Sequence, residues 1–189
     1  MVIGLNLDKS SKPSFCNACA KGKSSIRKFP SSNNKRHDTL FGLVHSDVGG
    51  KITPKSLGGS EYFVIFIDDH NRYVWVYFMK TKNEVFDKFL EWKVMVGNQY
   101  GKKIKTLRTD NGGEYLSGKF KAFLKKEGVR HELTVPKTPE QNGVAERLNR
   151  TLMEMTRSTL HNTRKDFWAE ALSTAAYIKI DAQQVPLLI

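Results

Sequence analysis

Cysteine is almost absent from this 189-residue chain. Only Cys16 and Cys19 occur, spaced C-x-x-C, so no disulfide framework can hold the fold, and a reducing compartment is the expected setting. No apolar run approaches the roughly 20 residues that a membrane-spanning helix needs. The N-terminus, M-V-I-G-L-N-L-D-K-S, has neither the basic start nor the cleavage signal of a secretory peptide. No internal repeat is present. Acidic residues are in deficit: 19 Asp and Glu stand against 31 Lys and Arg, a net charge of +12. That balance points to a polyanionic partner, nucleic acid first, although a basic soluble enzyme has the same composition. Hydrophobic residues make up 39%, enough for a core, which excludes global disorder.

Residues 1–40 are rich in Ser, Lys and Asn and read as a basic tail. Its one local feature, C-N-A-C-A-K-G-K, is half of a tetrahedral zinc site, since two thiolates two residues apart can grip one ion. A structural site needs four ligands, and His37 is the only nearby histidine; two unligated thiols are the alternative reading. The core is expected over residues 41–165, with a helical extension over 166–189.

Four short apolar runs predict strands. F-G-L-V-H-S-D-V, at 41–48, carries Asp47 near its end, an unusual residue for a strand interior; an edge or turn aspartate is the plain alternative. E-Y-F-V-I-F-I, at 61–67, and Y-V-W-V-Y-F-M, at 73–79, read as strands buried on both faces. They are joined by the five-residue link D-D-H-N-R, as a hairpin would be. Asp68 and Asp69 in that link are read as turn formers. Residues 104–109 form a further strand that stops at D-N-G-G-E-Y, which leaves Asp110 at a strand end.

Helical spacing marks 81–100, with Val85, Phe86, Phe89, Leu90, Trp92 and Val96 on one face. Ser117 is a candidate cap for a helix to about Glu127, with Gly128 just past its end. Val129–Val135 alternates as a half-buried strand should. In the stretch that follows, P-K-T-P-E-Q-N-G-V-A-E-R-L-N-R-T, Thr138 fits N-cap, Pro139 the first helical position and Gln141 a capping box. That helix is expected to run to about His161, with Val144, Leu148 and Leu152 as its apolar stripe. Glu146 shares the polar face with Asn142, Asn149, Arg150 and Arg157. A surface pair of Glu146 with Arg150 is the plain alternative there. A last helix is expected from Asp166, with Phe167, Trp168, Leu172, Ala175 and Ala176 in the core.

Three early antiparallel strands followed by alternating helices and strands predict an α/β fold, a mixed sheet with helices on its faces. In it the first strand is central and Asp47, Asp110 and Glu146 can converge. Three converging carboxylates repel one another unless a cation holds them. Magnesium, a hard ion with a preference for oxygen, suits them.

H-S-D-V-G-G, F-I-D-D-H-N-R-Y-V-W-V-Y, L-R-T-D-N-G-G-E-Y and T-P-E-Q-N-G-V-A-E-R-L-N-R-T, in that order, resemble the integrase core of copia-type retrotransposons. Thirty-five residues separate Asp110 from Glu146, the D,D-35-E spacing of retroviral and retrotransposon integrases, and the resemblance covers about residues 12 to 180. It implies a ribonuclease-H-like five-stranded sheet and a polynucleotidyl transferase that joins the 3′ ends of linear element DNA to target DNA. Asp47, Asp110 and Glu146 would be catalytic ligands of Mg2+ or Mn2+, and Asn142, Gly143, Arg147 and Arg150 DNA contacts. The enzyme would act as a homo-oligomer on paired DNA ends, in the nucleus after import. The resemblance also makes C-N-A-C the second half of a His-His-Cys-Cys zinc module whose histidines are missing ahead of Cys16. A truncated piece of a longer Pol polyprotein is thus expected. A non-catalytic nucleic-acid-binding remnant and a ribonuclease H are the competing expectations.

Overall fold

β-Branched and aromatic residues dominate the three runs that become the first strands: β1 (Val44–Gly50), β2 (Tyr62–Asp68) and β3 (Val74–Met79). The computed structural model describes residues 36–134 and 143–184, which belong to one compact unit, Arg36–Ile189. The zinc half-site Cys16 and Cys19, Asn142, and the capping residues Thr138, Pro139 and Gln141 lie outside the described residues.

β1 pairs antiparallel with β2, which pairs antiparallel with β3. Helix α1 (Val85–Tyr100) follows, entered through a 3-10 turn at Lys82–Glu84. It ends at Gly101, whose φ of 59° is the left-handed conformation that glycine adopts without a Cβ clash. Strand β4 (Thr106–Thr109) then runs parallel to β1. After the one-turn helix α2 (Gly113–Leu116) comes α3 (Gly118–Lys126), where the Ser117 hydroxyl accepts the Phe120 amide at 3.3 Å, as its cap position predicts. Strand β5 (Arg130–Leu133) pairs parallel with β4, and α4 (Gly143–Thr159) and α5 (Trp168–Gln184) are the last of the described elements.

The sheet order is β3-β2-β1-β4-β5, which puts β1 at the centre as expected. Alternation along β2 sends Val64 and Phe66 to one face and Phe63, Ile65 and Ile67 to the other, and all five are buried. The first face packs on α1, α2 and α3, with Phe66 stacked on Trp92 at a centroid distance of 4.6 Å. The second packs on α4 and α5 through Ala145, Leu152, Trp168 and Leu172. Each fully buried side chain of this size contributes about 1.5–3 kcal/mol relative to exposure.

Four details differ from expectation. β1 continues through Gly49 and Gly50 instead of breaking there, because its pairing with β2 supplies the hydrogen bonds that the glycines' weak propensity does not oppose strongly enough. β3 is an edge strand, so Trp75 to Phe78 are only half-buried. Phe167 is partly exposed, sitting in a 3-10 turn ahead of α5. The buried seam of α4 is Ala145, Leu152 and Thr156, with Val144 and Leu148 at its margin. Small residues occupy the seam because it lies close against the sheet, where a wheel ranked by hydrophobicity alone misses them.

Candidate active site

β1 carries Asp47 on the sheet face that meets α4. Its Oδ1 accepts the Val48 amide at 3.0 Å, and its Oδ2 accepts the side-chain amide of Asn149 on α4 at 2.5 Å. Burial pushes the Asp47 carboxyl up to about 6; the Asn149 hydrogen bond opposes the rise, and the negative charges of Asp110 and Glu146 add to it. Asp47 therefore senses both of the other acidic residues.

Asp110 follows the last residue of β4, half-buried, with its Oδ1 accepting the Gly112 amide at 3.0 Å. Such a local turn is what the N-G-G sequence favours. The loop is tied down at two further points. Asn111 donates to the Thr134 carbonyl at 2.8 Å, and the Thr109 hydroxyl donates to the Asp110 carbonyl at 2.9 Å.

Glu146 lies on the first turn of α4 and is exposed. Its position one turn before Asn149 puts both on the flank of α4 nearest Asp47. The three carboxylates share a neighbourhood without closing on one point: among the described residues, no group of three or more His, Cys, Asp or Glu side chains is drawn together enough to hold a metal ion. Mutual repulsion favours the spread, since the charges of Asp110 and Glu146 add to the rise that burial causes at Asp47. The donor set fits a hard divalent cation, because all three donors are carboxylate oxygens and a cation between them would reverse the repulsion felt at Asp47.

Of the candidate DNA contacts, Arg147 and Arg150 are exposed on α4. Gly143 is buried where α4 begins. A Cβ there would stand 2.7 Å from the Arg147 Nη1, so glycine leaves room for the guanidinium to fold back over the helix start.

Two contributors sit inside the motifs quoted above, in L-N-R-T and D-N-G-G-E-Y, without a role that the residues themselves announce. Asn149 is one: a helical wheel places it on the polar face but does not pair it with Asp47. The other is Tyr115 in α2, fully buried on the opposite sheet face, with its hydroxyl 2.7 Å from the Ser46 hydroxyl. Burial raises its phenol well above the usual range. Ser46 is adjacent to Asp47, so this contact fixes β1 to the loop that bears Asp110. A buried tyrosine hydroxyl needs a partner, and the place of Tyr115 at the end of D-N-G-G-E-Y is its signal in the sequence.

Asp69 lies in the turn as expected, whereas Asp68 is the buried last residue of β2 and holds the turn through its carboxylate. Asp68 accepts the Phe41 and Asn71 amides. Asp69 accepts the His37 amide at 2.7 Å and His45 Nε2 at 2.8 Å, and it pairs with Arg72 at 3.3 Å.

A family model described as the integrase core domain matches residues 40–139. The chain belongs to the integrase core family. The chain is 46% identical over 174 residues to the retrovirus-related Pol polyprotein from transposon TNT 1-94 of Nicotiana tabacum, covering 91% of this chain and 13% of that one. The Pol polyprotein from transposon RE2 of Arabidopsis thaliana is 35% identical over 185 residues, covering 96% and 12%. The Ty1-ML2 Gag-Pol polyprotein of Saccharomyces cerevisiae is 26% identical over 182 residues, covering 92% and 10%. The chain thus spans about an eighth or less of the length of these curated relatives, and it is a retrotransposon-type integrase core. A cryo-EM structure of the simian T-cell lymphotropic virus intasome in complex with PP2A regulatory subunit B56 gamma superimposes with a TM-score of 0.64 at 20% identity, covering 92% of this chain and 65% of that one. At that identity the likeness shows the fold, which is ribonuclease-H-like.

Proposed function

We propose that this integrase core joins 3′ ends of linear element DNA to target DNA, with Asp47, Asp110 and Glu146 as ligands of Mg2+ or Mn2+. The observation that carries the reading is the placement of Asp47: on the central strand, its carboxyl is raised to about 6 by burial first, and then by the charges of Asp110 just after β4 and Glu146 on α4. When bound, the divalent ions polarise the phosphodiester, lower the pKa of the attacking hydroxyl and stabilise the leaving oxygen. The chain's own residues do the positioning. Asn149 holds one oxygen of Asp47 and the Val48 amide holds the other, which fixes the carboxylate on β1. The Gly112 amide orients Asp110. Arg147 and Arg150 attract the phosphate backbone without reading sequence. The +12 charge supports DNA as partner. Paired ends are served by a homo-oligomer working in the nucleus.

A DNA-binding remnant without chemistry is the second reading, favoured by the spread of the three carboxylates among the described residues. Strand transfer of a short duplex into a plasmid separates the two. Joined product with magnesium or manganese, lost with EDTA and lost in Asp110→Asn while DNA binding persists, supports the integrase reading. Salt-sensitive binding with no product supports the remnant.

A further inference from the structure

On the other flank of α4, away from Asn149 and Asp47, a cleft of about 260 Å³ opens between α4, α5 and the β2–β3 turn. Its floor is apolar, with Ile67 and Leu148. Three cations rim it, each from a different element: Arg72 from the turn, Arg147 from α4 and Lys179 from α5, with Thr151 between them. The cleft falls below the roughly 300–1,000 Å³ of small-molecule pockets, so it suits a single group, not a whole cofactor.

The cations are poorly neutralised. Arg72 is half-buried; its ion-pair partner Asp69, at 3.3 Å, is shared with His45, and the charge of Asp68 lies nearby. Burial lowers the Arg72 pKa, and Asp69 offsets this while the charges of Arg36 and Arg147 lower it further. Among the described side chains, neither Arg147 nor Lys179 meets a carboxylate. Arg72 also adopts a left-handed φ of 61°, which a non-glycine residue takes at some cost, and that conformation belongs to the turn from which it lines the cleft. Like charges gathered over an apolar floor favour an anion with several acceptor oxygens that can be reached from three directions.

We propose that this cleft binds a backbone phosphate of duplex DNA other than the reacting one, held by Arg72, Arg147 and Lys179. The proposal rests on the DNA-joining reading. It adds a second anchor about one helix width, roughly 10–12 Å, from the acidic site across α4, so that the helix bearing Glu146 is held to the duplex on both flanks. Arg72 and Lys179 lie 107 residues apart in sequence, and neither belongs to an acidic motif.

The test is the salt dependence of duplex binding by the full chain, followed by anisotropy of a fluorescein-labelled DNA. Two cations sharing one phosphate release the counterions of one contact, so Arg147→Gln/Lys179→Gln lowers the slope of log K against log salt by about 1. It weakens binding alike on unrelated sequences. Lys102→Gln/Lys103→Gln removes the same charge beyond the end of α1, on the opposite face of the sheet, and leaves the slope unchanged. Thermal melts of each variant, matched to the parent, show that the fold is kept; Lys179→Gln alone, at a half-buried helix position, gives a second reading with a smaller loss. A parental slope in Arg147→Gln/Lys179→Gln, or an equal loss in both double variants, overturns the phosphate site and leaves the DNA-joining reading standing. No duplex binding by the parent chain overturns both.

Discussion

Asn149 on α4 donates its side-chain amide to Asp47 on the central strand at 2.5 Å, across 102 residues of sequence. The other amide atom, Oδ1, is buried and has no hydrogen-bond partner among the described residues. A buried acceptor without a donor is costly, so the orientation of Asn149 is set by its bond to Asp47. Asn149→Ala removes a donor to the ionised carboxylate, and the Asp47 pKa then rises further above 6. Strand joining falls about 10–100-fold, the usual effect of losing a group that orients a ligand. Carbon-13 NMR titration of the Asp47 carboxyl checks the first outcome and a joining assay the second; an unmoved titration removes Asn149 from this role.

Asp47 also governs a pH dependence. Its folded pKa, about 6, lies above the ordinary 3.8. The folded state therefore binds the proton more tightly than the unfolded chain. The stability this contributes is complete below pH 3.8 and is lost as pH rises from there through 6. Without divalent ion, Asp47→Asn is more stable than the parent at pH 7.5 by about 1–2 kcal/mol, discounted from the full shift because the group is partly solvated. The gain disappears near pH 4. Urea unfolding at the two pH values measures it, and an equal difference at both would show that the effect does not come from ionisation.

Much of this arrangement is legible in the residues. The continuous apolar run of β2, the strand-to-turn change at Asp110 and the order of elements suffice to place Asp47 on the central strand with β4 beside it. The phase of α4 is less legible, because Ala145, Gly143 and Thr156 fill its seam and none is strongly apolar. The two cross-links to β1, Asn149 to Asp47 and Tyr115 to Ser46, depend on tertiary contacts 102 and 69 residues apart. Local propensity carries no trace of such pairs. The role of Asp69 escapes for the same reason: turn chemistry accounts for its position, but its partners His37 and His45 come from the segment before and within β1.

A close approach at the centre of the sheet gives a third expectation. A Cβ on Gly49 would stand 2.1 Å from the Phe63 ring, which packs over β1 on the α4 side. Phe63 is fully enclosed and is tilted against Trp168 at 6.4 Å, so it has no free space to retreat into. Gly49→Ala costs about 1–3 kcal/mol, the range for overpacking a filled core. The double variant Gly49→Ala/Phe63→Leu recovers part of that loss. Additive losses in a double-mutant cycle would separate the two sites energetically.

The clasp of His45 and Asp69 makes the stability of the fold depend on acid pH. Burial works against the charged form of Asp69, but the hydrogen bonds from His45 and the His37 amide, with Arg72 nearby, hold its carboxyl down to about 2. A depressed carboxylate contributes stability that is present above the ordinary 3.8 and lost as pH falls from there toward 2. His45 acts in the same direction. Its burial outweighs the pull of Asp69 and lowers its pKa, so the unfolded chain takes up a proton that the folded one refuses as pH drops below 6.5. Asp69→Asn therefore loses about 2 kcal/mol at pH 7, and the difference from the parent narrows to nothing near pH 2. Thermal unfolding across that range follows it. If the deficit of Asp69→Asn persisted at pH 2, the loss would come from packing in the turn and the carboxylate's charge would have no part in it.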